Sequence, residues 1–274
     1  MGGGIKESDP LSSWAAQRDA ELHDSLASCG KVYRETAQLS VAGTRVSFAS
    51  LAGRKAVNED AAAVWVAGRP GSIRWAAAVA DGVSACLLPE LGSSLACLSA
   101  LAAVAAHQGE ASGLRPIAAA SEAMQQLAEA VAGRPEAWRP GSVSRSMWKR
   151  VLRDGAYFQT TLTVVWEADD GLYVEGLGDG GFSVGVEGGS MGFVPNPSLA
   201  VSCIGPGRSD SALYWHSYAR WRDAAVFTDG LSPWVENGGD PWGCADAAGA
   251  LEACLEADET TDNLTLLLVS REAA

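Results

Sequence analysis

The chain has 274 residues, of which 47% are hydrophobic and 19% are charged, and its formal net charge at pH 7 is −13. That length and composition are typical of a globular protein with one sizeable core. A charge this negative argues against a nucleic-acid surface and against docking on anionic lipid, because both need a basic face. We therefore expect neither nucleic acid nor a membrane among its partners.

The cysteines and the N-terminus bear on the compartment. The six cysteines are scattered and contain no C-x-x-C pair, so we expect reduced thiols. The first residues lack the apolar stretch of an export signal. The apolar run from Leu95 to Ala106 is too short and too interrupted to span a bilayer. These features predict a cytoplasmic protein.

The N-terminal segment has a helical pattern. Apolar residues recur at helical spacing from about Pro10 to Cys29, which predicts an amphipathic helix. We assign residues 1–40 to an N-terminal helical appendage and residues 41–274 to the main domain. Packing of the helix across that domain is the simpler interpretation, and binding of a partner is the alternative.

The main domain combines short strand patterns with a few helices. Four helices are predicted in this domain. The first starts at Pro89, the second covers Pro116–Val131, the third lies within residues 134–155, and the fourth extends from Pro241 or Ala245 to Ala257. The predicted strands are Thr44–Phe48, Ala62–Val66, Ile73–Ala80, Thr161–Trp166, Leu172–Glu175, Phe182–Val186, Leu199–Cys203, Ala212–Tyr218, Ala224–Phe227 and Leu264–Ser270. Runs of antiparallel strands interrupted by helices favour an α+β fold over alternating βαβ units.

Five short acidic motifs lie next to these strand patterns. They are Asn58-Glu59-Asp60, Ala80-Asp81-Gly82, Gly178-Asp179-Gly180, Thr228-Asp229-Gly230 and Thr261-Asp262-Asn263. One Asp-Gly pair is more often a turn than a ligand, but several motifs at strand ends are hard to explain as turns alone. Converging carboxylates repel one another unless cations neutralise them, and hard oxygen ligands suit Mg²⁺ or Mn²⁺. The sequence therefore predicts a metal centre walled by carboxylates.

Other kinds of site fit the sequence poorly. Gly176–Gly181 matches G-x-G-x-x-G, but a strand pattern follows it where a dinucleotide site needs a helix. Asp258–Asn263 lacks the glycine and the closing glutamate of a calcium loop. His23, His107 and His216 are far apart and lie outside any motif. Two cations, Arg54 and Lys55, precede the first acidic motif, so the predicted pocket suits an anion that bridges metal ions and a basic side chain.

The order of these motifs resembles the metal-dependent serine/threonine protein phosphatases of the 2C family in their bacterial form, over about Val41–Ser270. The matching pieces are Asn58-Glu59-Asp60-Ala61, Ala80-Asp81-Gly82, Glu90 with Ser93, Thr160-Thr161-Leu162-Thr163, Gly178-Asp179, Thr228-Asp229-Gly230-Leu231 and Asp262-Asn263-Leu264-Thr265. The resemblance implies a four-layer αββα sandwich of two antiparallel β-sheets flanked by helices. It places the metal ions between the sheets at one edge.

The resemblance also implies roles for single residues. Asp81 would bridge two Mn²⁺ or Mg²⁺ ions, with the Gly82 carbonyl on the first ion and Asp229 on the second. Asp179 resembles a ligand of a third, weaker metal ion. The full implied set of metal ligands is Asp60, Asp81, Gly82, Asp179, Asp229 and Asp262. Glu59 and Asn263 would hold these ligands in place. Asp60 and Asp81 are the implied catalytic carboxylates, together with a basic residue that meets the phosphate.

Five departures from the family pattern are visible. The phosphate-contacting arginine of the family falls on Lys55, with Arg54 adjacent, and the sequence leaves open which one meets the phosphate. Ser84-Ala85 stands where the family usually has a glycine pair, and Gly180-Gly181 stands where it commonly has Ser-Arg. Val83 stands where eukaryotic members often have a histidine acid, and the interval from Asp179 to Asp229 is short, which predicts a reduced flap.

By this resemblance, the expected activity is hydrolysis of phosphoserine and phosphothreonine on proteins by water that two metal ions activate. The partners would be phosphoprotein substrates, namely a serine/threonine kinase or its targets. One alternative is a catalytically weak or inactive pseudophosphatase that binds phosphoproteins, suggested by Ser84-Ala85 and Gly180-Gly181. Another is an interaction module that works through the N-terminal helix.

Overall fold

The structure is a computed structural model and describes residues 10–69, 71–140, 143–155, 157–186, 189–193, 203–205, 213–257 and 260–272. The helices are α1 (Pro10–Cys29), α2 (Pro89–Ala106), α3 (Pro116–Gly133), α4 (Arg145–Asp154), α5 (Ser232–Glu236) and α6 (Ala247–Glu256). The strands are β1 (Gly30–Arg34), β2 (Thr36–Val41), β3 (Thr44–Leu51), β4 (Ala61–Ala67), β5 (Ile73–Ala80), β6 (Leu162–Ala168), β7 (Gly171–Leu177), β8 (Gly181–Val186), β9 (Gly189–Phe193), β10 (Tyr214–Tyr218), β11 (Trp221–Phe227) and β12 (Leu264–Arg271).

These strands form two six-stranded antiparallel sheets, in the orders β1-β4-β5-β6-β7-β10 and β2-β3-β12-β11-β8-β9. The two sheets pack face to face around one buried apolar cluster that includes Phe48, Val165 and Leu267. Helices α1 to α4 cover the outer face of the first sheet, and α6 covers the outer face of the second. The predicted four-layer αββα sandwich is confirmed.

The central strand β5 shows why the sheets stack in this way. Successive side chains of a strand point to opposite faces. Trp75, Ala77 and Val79 lie in the cluster between the sheets, whereas Ala76 and Ala78 lie in the cluster under the helices. Because both faces of this strand are buried, its sequence is apolar without alternation.

Most predicted elements are found where we placed them, including the helix over Pro10–Cys29 and the strand over Ile73–Ala80. Three strands, β1, β2 and β9, were not predicted. The boundary that we placed at residue 40 falls inside β2, and β1 and β2 are edge strands of the two sheets. The connection between them passes from one sheet to the other through Glu35, whose φ is +68°. Residues 199–202 of the predicted strand Leu199–Cys203 lie outside the described residues.

Two helices pack as parts of the main domain. Helix α1 buries Leu11, Leu22 and Leu26, and its Asp19 accepts hydrogen bonds from Arg34 at 2.6 Å and from Ser94 at 2.7 Å. Helix α2 is long and apolar enough to cross a bilayer by length and composition alone, but 61% of it is buried inside the protein. That burial is what the core helix of a sandwich shows.

Candidate metal centre

All five acidic motifs lie at one edge of the sandwich. In the first sheet, Ala61 pairs with Ala80, so the residues before β4 and after β5 lie side by side. In the second sheet, Phe227 pairs with Leu266, which places the end of β11 beside the start of β12. The chain passes between the sheets at this edge at several points, among them from β3 to β4 and from β7 to β8. Strand ends that are hundreds of ångströms apart along the extended chain are thereby brought together.

Three carboxylates form the centre of the site. Asp81, Asp179 and Asp229 each offer one oxygen, and these oxygens all lie within 4.8 Å of one another. Asp81 follows β5, Asp179 lies in the turn between β7 and β8, and Asp229 follows β11. Like charges at this separation disfavour ionisation of all three groups unless a cation lies between them.

Asp60 forms a buried wall of the same site. Its Oδ2 accepts hydrogen bonds from the hydroxyls of Thr228 at 2.8 Å and Thr265 at 2.9 Å. Within the described part of the chain, its buried Oδ1 has no hydrogen-bond partner, and the same is true of Oδ1 of Asp179. Buried polar atoms usually have a hydrogen-bond partner. These two carboxylate oxygens, one of them within the three-carboxylate group, are therefore suited to bind a cation.

The pKa values of these groups reflect the same crowding. Burial, followed by the charges of Asp60 and Asp229, raises the pKa of Asp81 to about 11. Burial raises the pKa of Asp60 to about 6, although the hydroxyls of Thr228 and Thr265 oppose the shift. Burial and the charge of Asp179 raise the pKa of Asp229. The protein alone therefore disfavours the ionised cluster, and a bound cation would reverse that preference.

The loop of Asp81 and Gly82 is held by backbone contacts. The carbonyl of Asp81 accepts from Thr161 N–H at 2.9 Å and from the Thr160 hydroxyl at 2.7 Å. The amide of Gly82 donates to the Glu59 carbonyl at 3.1 Å. A Cβ at residue 82 would lie 2.6 Å from that carbonyl oxygen, so only glycine fits this close approach.

Asn263 joins two loops of the site. Its Oδ1 accepts from the backbone N–H of Glu59 at 3.0 Å, and its Nδ2 donates to the carbonyls of Ala52 at 2.9 Å and Val57 at 3.1 Å. Asn263 directly follows Asp262 in the chain. It therefore fixes the loop of Asp262 against the loop that carries Glu59, which is the geometry expected of an orienting residue.

Lys55 brings a cation into the site. Its ammonium group donates to Glu59 Oε2 at 3.0 Å and to Ser84 Oγ at 3.1 Å, and it pairs with Asp262 Oδ1 at 2.5 Å. Burial lowers the pKa of Lys55, but the hydrogen bonds to Asp262 and Glu59 outweigh burial and raise it, so the group stays charged. Arg54 is exposed, whereas the ammonium group of Lys55 lies among the acidic side chains of the site.

Three residues of the site were not assigned a role from the sequence. Thr228 and Thr265 hold Asp60, and Ser84 donates a short hydrogen bond to Glu59. Ser84 was noticed only as a departure from glycine. The two threonines adjoin acidic motifs, and hydroxyl residues beside a buried carboxylate were the available signal.

Comparison with known proteins gives both a family and a fold. A family model of protein phosphatase 2C matches residues 49–264. The serine/threonine phosphatase Stp1 from Staphylococcus aureus superposes with a TM-score of 0.61 at 13% identity, covering 86% of this chain and 96% of that one. The serine/threonine phosphatase PstP/Ppp from Mycobacterium tuberculosis gives a TM-score of 0.59 at 19% identity, covering 85% of this chain and 100% of that one.

A third structure is the catalytic domain of the phosphatase PstP in complex with two manganese ions, with a TM-score of 0.58 at 20% identity, covering 84% of this chain and 98% of that one. No curated protein sequence matches the chain. Identities this low show the shared fold, and the match to the family model is the evidence for the family.

Proposed function

Because the chain belongs to the protein phosphatase 2C family, we propose that it hydrolyses phosphoserine and phosphothreonine in proteins with the help of two Mn²⁺ or Mg²⁺ ions. One observation carries the proposal: Asp81, Asp179 and Asp229 present carboxylate oxygens within 4.8 Å of one another. Three carboxylates drawn from different strand ends have no structural reason to meet. Burial, together with the charges of neighbouring carboxylates, raises the pKa of Asp81 and of Asp229.

The donor set fits hard divalent cations. Every candidate ligand is a carboxylate or carbonyl oxygen, as Mg²⁺ and Mn²⁺ prefer. Asp81 and Gly82 would hold one ion and Asp81, Asp229 and Asp262 the other, with Asp179 at a third, weaker position. The manganese-bound PstP domain shares the fold, which supports this choice of metal. When bound, the ions would activate a water molecule and neutralise charge on the phosphate.

The remaining side chains of the site position these groups. The hydroxyls of Thr228 and Thr265 fix Asp60, and Asn263 fixes the loop of Glu59. Such fixed groups reduce the reorganisation that catalysis would otherwise require. Lys55 would meet the phosphate oxygens, because its ammonium lies within the site.

The proton for the leaving serine or threonine oxygen would come from solvent. Val83 follows Gly82 in the proposed metal-binding loop, and its side chain has no ionisable group that could act as an acid. Its backbone N–H is already donated to the Gln159 carbonyl at 2.9 Å. General acid catalysis typically contributes 10²–10⁴-fold, so we expect turnover to be slow with poor leaving groups.

The direct test is hydrolysis of phosphopeptides with Mn²⁺, Mg²⁺ or a chelator. We expect activity with either ion, none with the chelator, and none in the Asp81→Asn or Asp229→Asn variants. Asp24→Asn is the matched control, because Asp24 on α1 is 88% exposed and lies outside the cluster. Activity near that of the parent in either cluster variant would contradict the proposal.

A phosphoprotein-binding module with little or no turnover is the second candidate. It is favoured by the contacts of Ser84, which holds Glu59 and Lys55 where the family has glycine. A phosphopeptide that binds in the presence of Mn²⁺ but is not hydrolysed would support it. A Ser84→Gly variant that gains turnover would show that this serine is the cause.

We further propose that the protein acts in the cytoplasm on a serine/threonine kinase or on the targets of that kinase. Its support is the acidic charge of the chain, its six free cysteines and a family that acts on phosphoproteins. Fractionation of cells and phosphoproteome comparison with and without the protein would test both points.

A further inference from the structure

One segment of this acidic protein is strongly basic. Residues 134–154, called here the basic segment, contain six arginine or lysine residues and two acidic residues. The other 253 residues contain fourteen basic and thirty-one acidic residues, for a net charge of −17. Positive charge is therefore concentrated in one short part of the chain.

Helix α4 presents most of this charge to solvent. Arg145, Lys149 and Arg153 are exposed and recur every four residues, so they form one row along the helix, with exposed Arg150 beside it. Trp148 is fully buried on the opposite side. Like charges four residues apart destabilise a helix by a few tenths of a kcal/mol per pair, so this row does not serve the stability of α4.

The acidic residues nearby neutralise only part of the row. Glu136 pairs with Arg139 at 3.3 Å and with Arg145 at 3.7 Å. Arg153 pairs with Asp154, its neighbour in the chain, at 2.7 Å. Across the ranges that the structure describes, Lys149 and Arg150 form no ion pair.

The helix is a fixed platform for these charges. Ser144 caps its N-terminus by accepting the Met147 N–H at 3.3 Å, and Gly155 ends it at a φ of +63°. The indole N–H of Trp148 donates to the Pro135 carbonyl at 2.7 Å. The basic side chains thus project from a backbone held at both ends and in the middle.

A short connection joins α4 to the metal centre. Gln159 lies four residues after Gly155, and its side chain donates back to the Gly155 carbonyl at 3.2 Å. The backbone carbonyl of Gln159 accepts from Val83, two residues after Asp81, at 2.9 Å. Four residues span at most about 14 Å and two at most about 7 Å, so the end of α4 lies within roughly 25 Å of Asp81.

We propose that the exposed face of α4 is a docking surface for an acidic segment of the phosphoprotein substrate. This inference rests on the function proposed above and adds a preference among substrates. The segment would lie within about seven residues of the phosphorylated residue, because an extended peptide advances about 3.3 Å per residue. The rest of the chain carries a net charge of −17 and repels such a segment, which favours its binding at α4.

The test compares two phosphopeptides that differ only at those flanking positions, with glutamates in one and glutamines in the other. The probe variant is Lys149→Glu/Arg150→Glu. The matched control is Lys31→Glu/Arg69→Glu, which makes the same change in net charge. Lys31 and Arg69 are exposed at the far ends of β1 and β4, about 20 Å from the metal centre along the strand.

We expect the parent to prefer the glutamate peptide on the order of tenfold in kcat/KM, measured relative to para-nitrophenyl phosphate. The probe variant loses that preference and the control retains it. The preference weakens as salt is raised. A peptide with a second phosphoserine at the same position tells whether carboxylate or phosphate suits the face better.

Several results would overturn the proposal: no preference in the parent, equal losses in both variants, or a preference that salt does not change. If the probe variant loses binding to anionic phosphatidylserine vesicles but keeps the peptide preference of the parent, the exposed face of α4 binds lipid and not a peptide. Peptide affinity, measured by fluorescence anisotropy, keeps the test decisive when turnover is absent. Absence of turnover contradicts the proposed function. The docking proposal is then tested by the ratio of the affinities for the glutamate and glutamine peptides.

Discussion

Replacement of Lys55 by methionine should strengthen Mn²⁺ binding and weaken phosphate binding at the same time. The Lys55 ammonium donates to Glu59 and Ser84 and pairs with Asp262, which accounts for all three of its protons. Asp262 is also a proposed metal ligand. An ion that takes Asp262 must therefore displace Lys55, and the freed ammonium can then turn to the phosphate.

The expected gain in Mn²⁺ affinity follows from the solvent exposure of the Lys55–Asp262 ion pair. At 2.5 Å, the Coulomb attraction at an effective dielectric constant of about 20 is about 7 kcal/mol. The side chains of Lys55 and Asp262 are 28% and 43% exposed, and such pairs contribute only about 1 kcal/mol after screening and desolvation. Loss of about 1 kcal/mol of competition corresponds to about fivefold tighter Mn²⁺ binding.

Isothermal titration of the chelator-treated protein with Mn²⁺ measures the first effect, and KM for a phosphopeptide at saturating Mn²⁺ measures the second. We expect Kd for Mn²⁺ to fall and KM to rise in Lys55→Met, with neither changed in the control Lys31→Met. A purely structural role for Lys55 would weaken both. Unchanged or weaker Mn²⁺ binding would refute the competition between Lys55 and the metal ion.

Three further predictions concern stability. At pH 7 the metal-free folded protein must hold a proton on Asp81, whose carboxyl oxygen lies within 4.8 Å of those of Asp179 and Asp229. Asp81→Asn removes the cost of that proton uptake and should stabilise the metal-free protein by about 2 kcal/mol. Calorimetry in chelator at pH 7 should then show Tm higher by roughly 4–8 °C, and a lower Tm would contradict the crowding. Because the pKa of Asp81 is raised to about 11 in the folded protein, the folded state keeps a proton that the unfolded chain releases near pH 4. The stability of the metal-free parent should therefore fall as pH rises above about 4, and the gap to Asp81→Asn should shrink towards pH 4. Asn263→Ala removes three hydrogen bonds from two loops and should cost about 2–3 kcal/mol by urea denaturation. Gln125→Ala, which removes one exposed hydrogen bond to Glu129 on α3, should cost much less.

The strand and helix patterns predicted the α+β class, and the four-layer sandwich followed from the resemblance that the order of the motifs carries. The members of the carboxylate cluster could be predicted because each motif adjoins a strong apolar strand pattern. The edge strands were harder. In β2, Ala37, Leu39 and Val41 alternate with polar residues and pack against the core, so that signal was present and overlooked. In β1, Gly30-Lys31-Val32-Tyr33-Arg34 has no such alternation, and only its pairing with β4 defines it as a strand.

The contacts of Lys55 and Ser84 could not be predicted from the sequence. Lys55 reaches Asp262 across 207 positions of the chain, and the direction of a long flexible side chain depends on all of its neighbours. The choice between Lys55 and Arg54 was open for the same reason. Local spacing identifies which residues end strands, but it does not show which of two adjacent cations turns inward.

The carboxylate cluster takes Asp81 from the end of β5 and Asp229 from the end of β11, and these strands belong to different layers. Their separation is therefore set by the thickness of the apolar filling, where small side chains such as Ala77 are fully enclosed. A bulkier residue at position 77 would increase the distance between the two sheets. Affinity for divalent ions in this protein thus depends on interior volume as well as on ligands, and a substitution remote from every acidic group can alter it.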